Sequence, residues 1–378
     1  MGVFSVIIDK KGAVFRNGFR RSLAGCRRYN FSPVQEKKTW RCPNLTDAAG
    51  LHKKSVVVDG HCDTVHLFLG TQGPYSFGEL NAVGQADLPR LRSGGVNLQF
   101  FAVYIEPEFK PHGALQRTLF LVEHFWREMG KHSKDVVVVK NKADLGVVKN
   151  TSKIGALLAL EGAEPLENVE MLHILYRLGL RSVGLTWNQR NLLADGVGVG
   201  ASAGGLTPLG KAMVTEMNSL GIMVDAAHLA PKGFFDLLET VSAPPIVTHA
   251  NAASLCAHRR NLSDEQLRAL SEQGGVVGLT YYPPFVSEQK DATLEDLLDH
   301  FCYIAERFGT SVLGLGSDFD GIPRAVQGLE DVSKLPRLTE GLIRRGFSAE
   351  EISAILGGNF LRVLQACLPQ EETDEDSC

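Results

Sequence analysis

From residue 55 onward, short apolar runs rich in β-branched residues alternate with longer stretches whose apolar residues recur at three- and four-residue steps. A short, continuously apolar run fits a strand buried on both faces, and the longer recurrence fits a helix with one buried side. The strand-like runs are residues 56–60, 96–104, 154–160, 182–186, 222–227, 245–248, 276–281 and 312–316. Helical patterns cover residues 115–129, 169–178, 209–220, 234–241, 264–272 and 294–308, and two more, 338–345 and 349–367, follow the last strand. Ser263 and Ser348 stand three residues before Gln266 and Glu351, the spacing of a capping box.

Eight strands alternating with helices predict an α/β fold with a parallel sheet, either a closed (β/α)₈ TIM barrel or an open doubly wound sheet. The first strand decides between them. A dinucleotide fold needs a glycine-rich turn there, whereas this strand runs into His61-Cys62-Asp63. The expected fold is therefore a TIM barrel with extra C-terminal helices. The glycine-rich stretch 196–205 lies mid-chain, with no Lys-Ser/Thr partner for a phosphate, and reads as a flexible loop.

Composition divides the chain further. The 378 residues are 44% hydrophobic with a net charge of −4, yet residues 1–54 carry 12 Lys/Arg against 3 Asp/Glu. That segment reads as a basic, poorly ordered, solvated extension, residues 55–368 as the barrel domain, and residues 369–378, rich in Asp and Glu, as a disordered acidic tail. No secretory apolar core and no stretch of about 18 apolar residues stands out, so a cytoplasmic protein without membrane or nucleic-acid partners is expected. The seven cysteines are scattered, with no Cys-x-x-Cys pair, which suits a reducing compartment.

The candidate chemistry sits where the apolar runs stop. His61 and Asp63 end the first, Glu161 the third, His228 the fifth, His249 the sixth, and Asp318 with Asp320 the eighth. A barrel gathers all its strand C-termini on one face, so these residues would surround a single pocket. Taken singly, a histidine after a strand is more often a packed residue, and Asp63 alone fits a helix cap. Together they offer the imidazole and carboxylate donors that zinc prefers, in excess of the three that one ion needs. That surplus favours two metals sharing a bridging carboxylate and an acidified water. His124, His132, His173 and His300 lack this placement, and His66 and His258 are weaker candidates for supporting roles.

At these residues the sequence resembles the renal (membrane) dipeptidase family of two-zinc peptidases, over about residues 56–368. The matching passages are Val58-Asp59-Gly60-His61-Cys62-Asp63, Ala159-Leu160-Glu161-Gly162, Val224-Asp225-Ala226-Ala227-His228, Thr248-His249-Ala250-Asn251-Ala252, His258-Arg259-Arg260-Asn261-Leu262 and Gly316-Ser317-Asp318-Phe319-Asp320-Gly321. Each passage is weak alone; their order and spacing make the match specific. The resemblance implies that His61 and Asp63 bind one zinc, His228 and His249 the other, and that Glu161 bridges both. It implies that Arg260 grips the substrate carboxylate and that Asp318 is the acid/base of dipeptide hydrolysis by a bridging hydroxide. It further implies a homodimer, and tolerance of D-residues on the carboxyl side.

One passage departs from the family. Its animal members carry a histidine in a Leu-Thr-His passage beside the oxyanion, where this chain reads Leu185-Thr186-Trp187-Asn188. Trp187 donates through its indole nitrogen but takes up no proton. Either Trp187 or Asn188 supports the oxyanion, or Trp187 is an aromatic pocket wall and the substrates differ. Two other readings stand beside the dipeptidase: a two-metal hydrolase of another amide or a β-lactam, and a barrel scaffold without catalysis.

Overall fold

The computed structural model describes residues 47–289 and 291–371. Most of the basic extension and the last seven residues of the acidic tail lie outside the described residues. Residues 48–54, grouped by charge with the extension, form a helix (Ala48–Lys54) whose His52 is buried against Thr339 and the carbonyl of Gly94.

Nine parallel strands follow: β1 Val57–Cys62, β2 Val96–Tyr104, β3 Val136–Val138, β4 Ile154–Glu161, β5 Leu180–Gly184, β6 Met223–Asp225, β7 Ile246–Val247, β8 Val276–Leu279 and β9 Leu313–Leu315. Their order is β2-β1-β9-β8-β7-β6-β5-β4-β3, and a β2–β4 pairing closes eight of them into the expected barrel. β3 is a strand beyond the eight expected, within the β-branched run of residues 136–139. It pairs with residues 154–156 at the start of β4, on the edge whose later residues, 158–161, pair with β5. It thus fills a gap outside the ring.

The expected run 182–186 lies two residues late, because the β5 ladder starts at Leu180 opposite Leu158 and ends at Gly184 opposite Asp225. Runs 222–227, 245–248, 276–281 and 312–316 are longer than the ladders they contain, since the chain leaves the sheet to build the rim of the mouth. Both capping boxes are present, at Ser263 with Gln266 and at Ser348 with Glu351. The expected helix 349–367 is broken by a π turn, Ala354–Gly358, into Ala349–Ser353 and Asn359–Cys367. The break falls where Gly357 passes β1 so closely that a Cβ would lie 2.3 Å from the Val56 carbonyl oxygen.

The last helix closes the base of the barrel. Phe360 packs with Val58, Leu98, Leu157, Met223, Ile246 and Val276, residues from the early part of six strands, in one buried apolar cluster. Gly60 and Gly314 make room for its ring, since a Cβ at either would lie 2.7 or 2.5 Å from it. This last helix thus serves as a plug, leaving the opposite end for chemistry.

Candidate active site

The ends of β1, β4, β6, β7 and β9 bring the five expected metal ligands and Asp318 together. Three overlapping sets have donor atoms within 4.8 Å of one another: His61, Asp63 and Glu161; Glu161, His228 and His249; and His61, His249 and Asp318. Glu161 Oε1 lies 2.9 Å from His228 Nε2, 3.5 Å from His249 Nε2 and 3.9 Å from His61 Nε2. His61 Nε2 also faces Asp63 Oδ2 at 3.3 Å and Asp318 Oδ1 at 3.9 Å. Glu161, His61 and His249 each belong to two of the sets, and of these three only the Glu161 carboxylate offers two donor oxygens.

Residues behind the cluster fix which nitrogens face it. His228 Nδ1 donates to Asn188 Oδ1 at 2.9 Å. His249 Nδ1 donates at 3.0 Å to Thr248 Oγ1, whose own proton goes to Asp225 Oδ2 at 2.6 Å. The two Nε2 atoms, 2.9 Å apart, therefore both present lone pairs to one point. Burial, then the positive charge of Arg260 and His61, drives both imidazoles well below their ordinary pKa, so neither relieves the contact by protonation. His61 Nε2 is buried without a hydrogen-bond partner. Lone pairs facing each other, an orphaned nitrogen and adjoining carboxylates fit a cation bound among them.

The carboxylates make the same demand. Burial opposes charge on His61, but Glu161, Asp63 and Asp318 outweigh it and hold its pKa up at about 10. Burial, reinforced by Asp63 and Asp318, pushes Glu161 up to about 8 against the pull of His61. Asp318 is likewise pushed up to about 7 by burial, with Asp63 adding and His61 opposing. Its side chain keeps 13% exposure, so it faces the cavity and is not sealed behind it.

Local backbone follows from these positions. His228 and Asp318 sit at φ 63° and 68°, in the left-handed region that few non-glycine residues adopt, as strand ends turn sharply to aim side chains inward. Gly321 is required beside them, since a Cβ there would lie 2.1 Å from Asp63 Oδ2. Asp59 ties β1 to β9 by accepting from Ser317 N–H at 2.8 Å and Ser317 Oγ at 2.5 Å.

The cluster opens into a cavity of about 430 Å³ whose lining includes Tyr104, Trp187, Asn188, Arg260, Phe285 and Asp318. Arg260 is buried; its Nη2 donates to the His249 carbonyl at 3.1 Å, and its Nε has no partner. Burial lowers its pKa to about 10 against the attraction of Glu161 and Asp318, leaving it charged at neutral pH. Trp187 is a wall residue, with ring centroids 5.1 Å from Tyr104 and 5.8 Å from His228. Asn188 lines the same cavity, with its side-chain oxygen engaged by His228.

Asp320 turns away from the cluster, accepting from Thr64 Oγ1 at 2.6 Å and from Gln85 N–H. His258 lines the cavity, accepts from Arg260 N–H at 3.2 Å and stacks on Phe285 at 4.4 Å, and His66 Nε2 donates to the Tyr104 carbonyl at 3.0 Å. The glycine-rich stretch is not a loose loop: Val197 N–H donates to the His228 carbonyl at 2.8 Å, and Gly198 N–H to that of Asn188 at 2.8 Å. Gly196 approaches Trp187 so closely that a Cβ would lie 2.0 Å from its carbonyl oxygen. Asp225, Thr248 and Ser317, all within the quoted passages, received no role from the sequence. A polar residue inside an otherwise apolar strand, as at Asp59 and Asp225, was the available signal.

The family model described as membrane dipeptidase (peptidase family M19) matches residues 45–376. The chain belongs to that family. Dipeptidase tcpJ of Claviceps purpurea is 33% identical over 325 residues, covering 81% of this chain and 76% of its own. Dipeptidase aclJ of Aspergillus oryzae is 35% identical, covering 74% and 69%. A metallopeptidase of Rhodobacter sphaeroides, crystallised with a phosphinate mimic of the dipeptide L-Ala-D-Ala, superposes with a TM-score of 0.77 at 28% identity, over 83% of this chain and 100% of that one. The chain is accordingly a hydrolase, a metal-dependent dipeptidase of the M19 type. Among the described residues no helix is long and apolar enough to cross a membrane.

Proposed function

We propose that this chain cleaves dipeptides at a pair of zinc ions, one held by His61 and Asp63, the other by His228 and His249, with Glu161 bridging. The observation that carries the reading is the convergence of three histidine Nε2 atoms on Glu161 Oε1, with the Nδ1 atoms of His228 and His249 tied back. Bound there, the metal pair supplies Lewis acidity and lowers the pKa of a water enough for it to attack near neutral pH.

The chain's own residues do the rest. Arg260, whose buried Nε has no partner, takes the substrate carboxylate, which a planar guanidinium suits. Asp318, open to the cavity and carrying a raised pKa, accepts the proton of the attacking water and returns it to the departing amine. Trp187 lines the substrate, and Asn188 acts on it by orienting His228. The bacterial relative's L-Ala-D-Ala mimic supports including dipeptides with a D-residue on the carboxyl side. The catalytic domain is taken as residues 55–368 and the assembly as a homodimer. The free thiols of Cys62, Cys256, Cys302 and Cys367 support a reducing, cytoplasmic setting.

The test is a panel of L-L, L-D and glycine-ended dipeptides offered to zinc-reconstituted protein. Hydrolysis of at least one, abolished by chelation, is expected. If none is cleaved, and Asp318→Asn alters no turnover, the reading fails.

A further inference from the structure

Beside the ligand cluster the cavity wall has two unlike faces. The inner face is aromatic: Tyr104, the last residue of β2, and Trp187, just beyond β5, both line the metal cavity, with ring planes inclined at 54°. The outer face is ionic. Lys110 Nζ lies 5.3 Å and 5.4 Å from the centroids of those two rings and 3.1 Å from Glu164 Oε1. Lys110 and Glu164 line a separate cavity of about 740 Å³ behind the wall.

The pair is enclosed, with side chains 9% and 4% exposed, and neither Lys110 Nζ nor the Glu164 oxygens make a well-formed hydrogen bond. Glu164 reaches its place over Gly162, at φ 92°, where a Cβ would lie 2.5 Å from Oε2. An ion pair so desolvated adds little to stability and is often matched by apolar side chains of similar volume. What it supplies at this point is a cation held against two π-systems.

The strand order gives the direction in which a substrate meets that wall. β2 and β7 are four strands apart either way round the closed ring, so Tyr104 stands opposite the loop that carries Arg260. On the dipeptidase reading above, from which this inference starts, the substrate carboxylate lies on Arg260 and the scissile carbonyl at the ligand cluster. The amino-terminal residue then extends past the cluster toward Tyr104, whose ring has Trp187 beside it at 5.1 Å. We propose that these two rings form the subsite for its side chain and select a large apolar or aromatic one, with Lys110 and Glu164 as positioning residues behind them. Lys110 is sheltered by the rings and balanced by Glu164, so the surface offered to substrate is π-face and not charge.

The test uses zinc-loaded, full-length protein and two dipeptide series, X-Gly and Gly-X, with X as Phe, Leu, Ala or Asp. Calorimetric Kd values of the matching phosphinate mimics provide a readout apart from turnover. Phe-Gly and Leu-Gly are expected to exceed Ala-Gly and Asp-Gly in kcat/KM by about tenfold or more. Trp187→Ala lowers the Phe-Gly to Ala-Gly ratio at least fivefold through KM and through the Kd of the mimic, and leaves the ratios of the Gly-X series as they were. Lys110→Met lowers the same ratio to a lesser degree, and Lys110→Arg restores it. Equal kcat/KM across the wild-type X-Gly series overturns the proposal, and this result needs no variant to fold. So does a Trp187→Ala effect confined to the Gly-X series. Failure to cleave any dipeptide instead removes the dipeptidase reading itself.

Discussion

At the base of the barrel, Phe360 and its apolar neighbours from six strands fill the interior, and glycines at 60 and 314 admit the ring. At the mouth, on other ends of the same strands, His61, Asp63, Glu161, His228 and His249 are buried together, with His61 Nε2 and Arg260 Nε lacking partners. One end is packed and satisfied; the other holds charge that nothing among the described residues completes. Two of the mouth residues, His228 and Asp318, also carry left-handed backbone. The contrast separates what holds the fold from what the fold holds in place, and each end should respond to substitution in its own way.

The largest effect is expected at the mouth. Asp318→Asn keeps the shape but removes the proton carrier, and kcat should fall by about 10²–10⁴-fold with KM changed little, read from steady-state kinetics on the preferred dipeptide. Phe360→Ala is the counterpart at the base. Removing a fully buried ring should destabilise the protein by about 3–5 kcal/mol in denaturant unfolding, while the folded enzyme keeps its kcat within about twofold. A comparable loss of kcat in the folded Phe360→Ala protein would erase the distinction between the two ends.

Asn188→Ala sharpens the comparison within the mouth. It deletes the acceptor that orients His228, so zinc affinity should weaken by about 10–100-fold in a competition titration, and added zinc should restore turnover. The smallest effect concerns pH and lies away from the mouth. Burial holds His52 below its ordinary pKa, against the pull of the Gly94 carbonyl, so the folded state favours the neutral ring. Its contribution to stability is present above the unfolded value of about 6.5 and is lost as pH falls below it. The melting temperature should therefore fall more between pH 7.5 and 5.5 in the wild type than in His52→Gln.

Much of the architecture was legible because buried parallel strands leave continuous apolar runs and amphipathic helices leave a 3.6-residue recurrence; β2 and the helix Asp264–Glu272 stand within the bounds that the pattern gives. The convergence of His61, Asp63, Glu161, His228, His249 and Asp318 was legible for a different reason, since barrel geometry fixes where strand ends meet. β3 was passed over although Val136 to Val139 form a continuous β-branched run, for its three residues pair outside the eight-stranded ring that the alternation predicts. The supports behind the ligands were missed because each joins distant segments: Asn188 to His228, Asp225 to Thr248, Ser317 to Asp59. Trp187 was left between two roles by the sequence, and it lines the cavity beside Tyr104, His228 and Lys110.

The central claim is that the mouth binds two zinc ions through these side chains. Metal-free protein titrated with zinc, with bound metal counted by elemental analysis and dipeptide turnover followed in parallel, tests it most directly. Two zinc ions per chain are expected, with turnover rising until the second is bound and Glu161→Ala weakening both. Binding of less than about one zinc per chain after reconstitution, or full turnover with Glu161→Ala, contradicts the account.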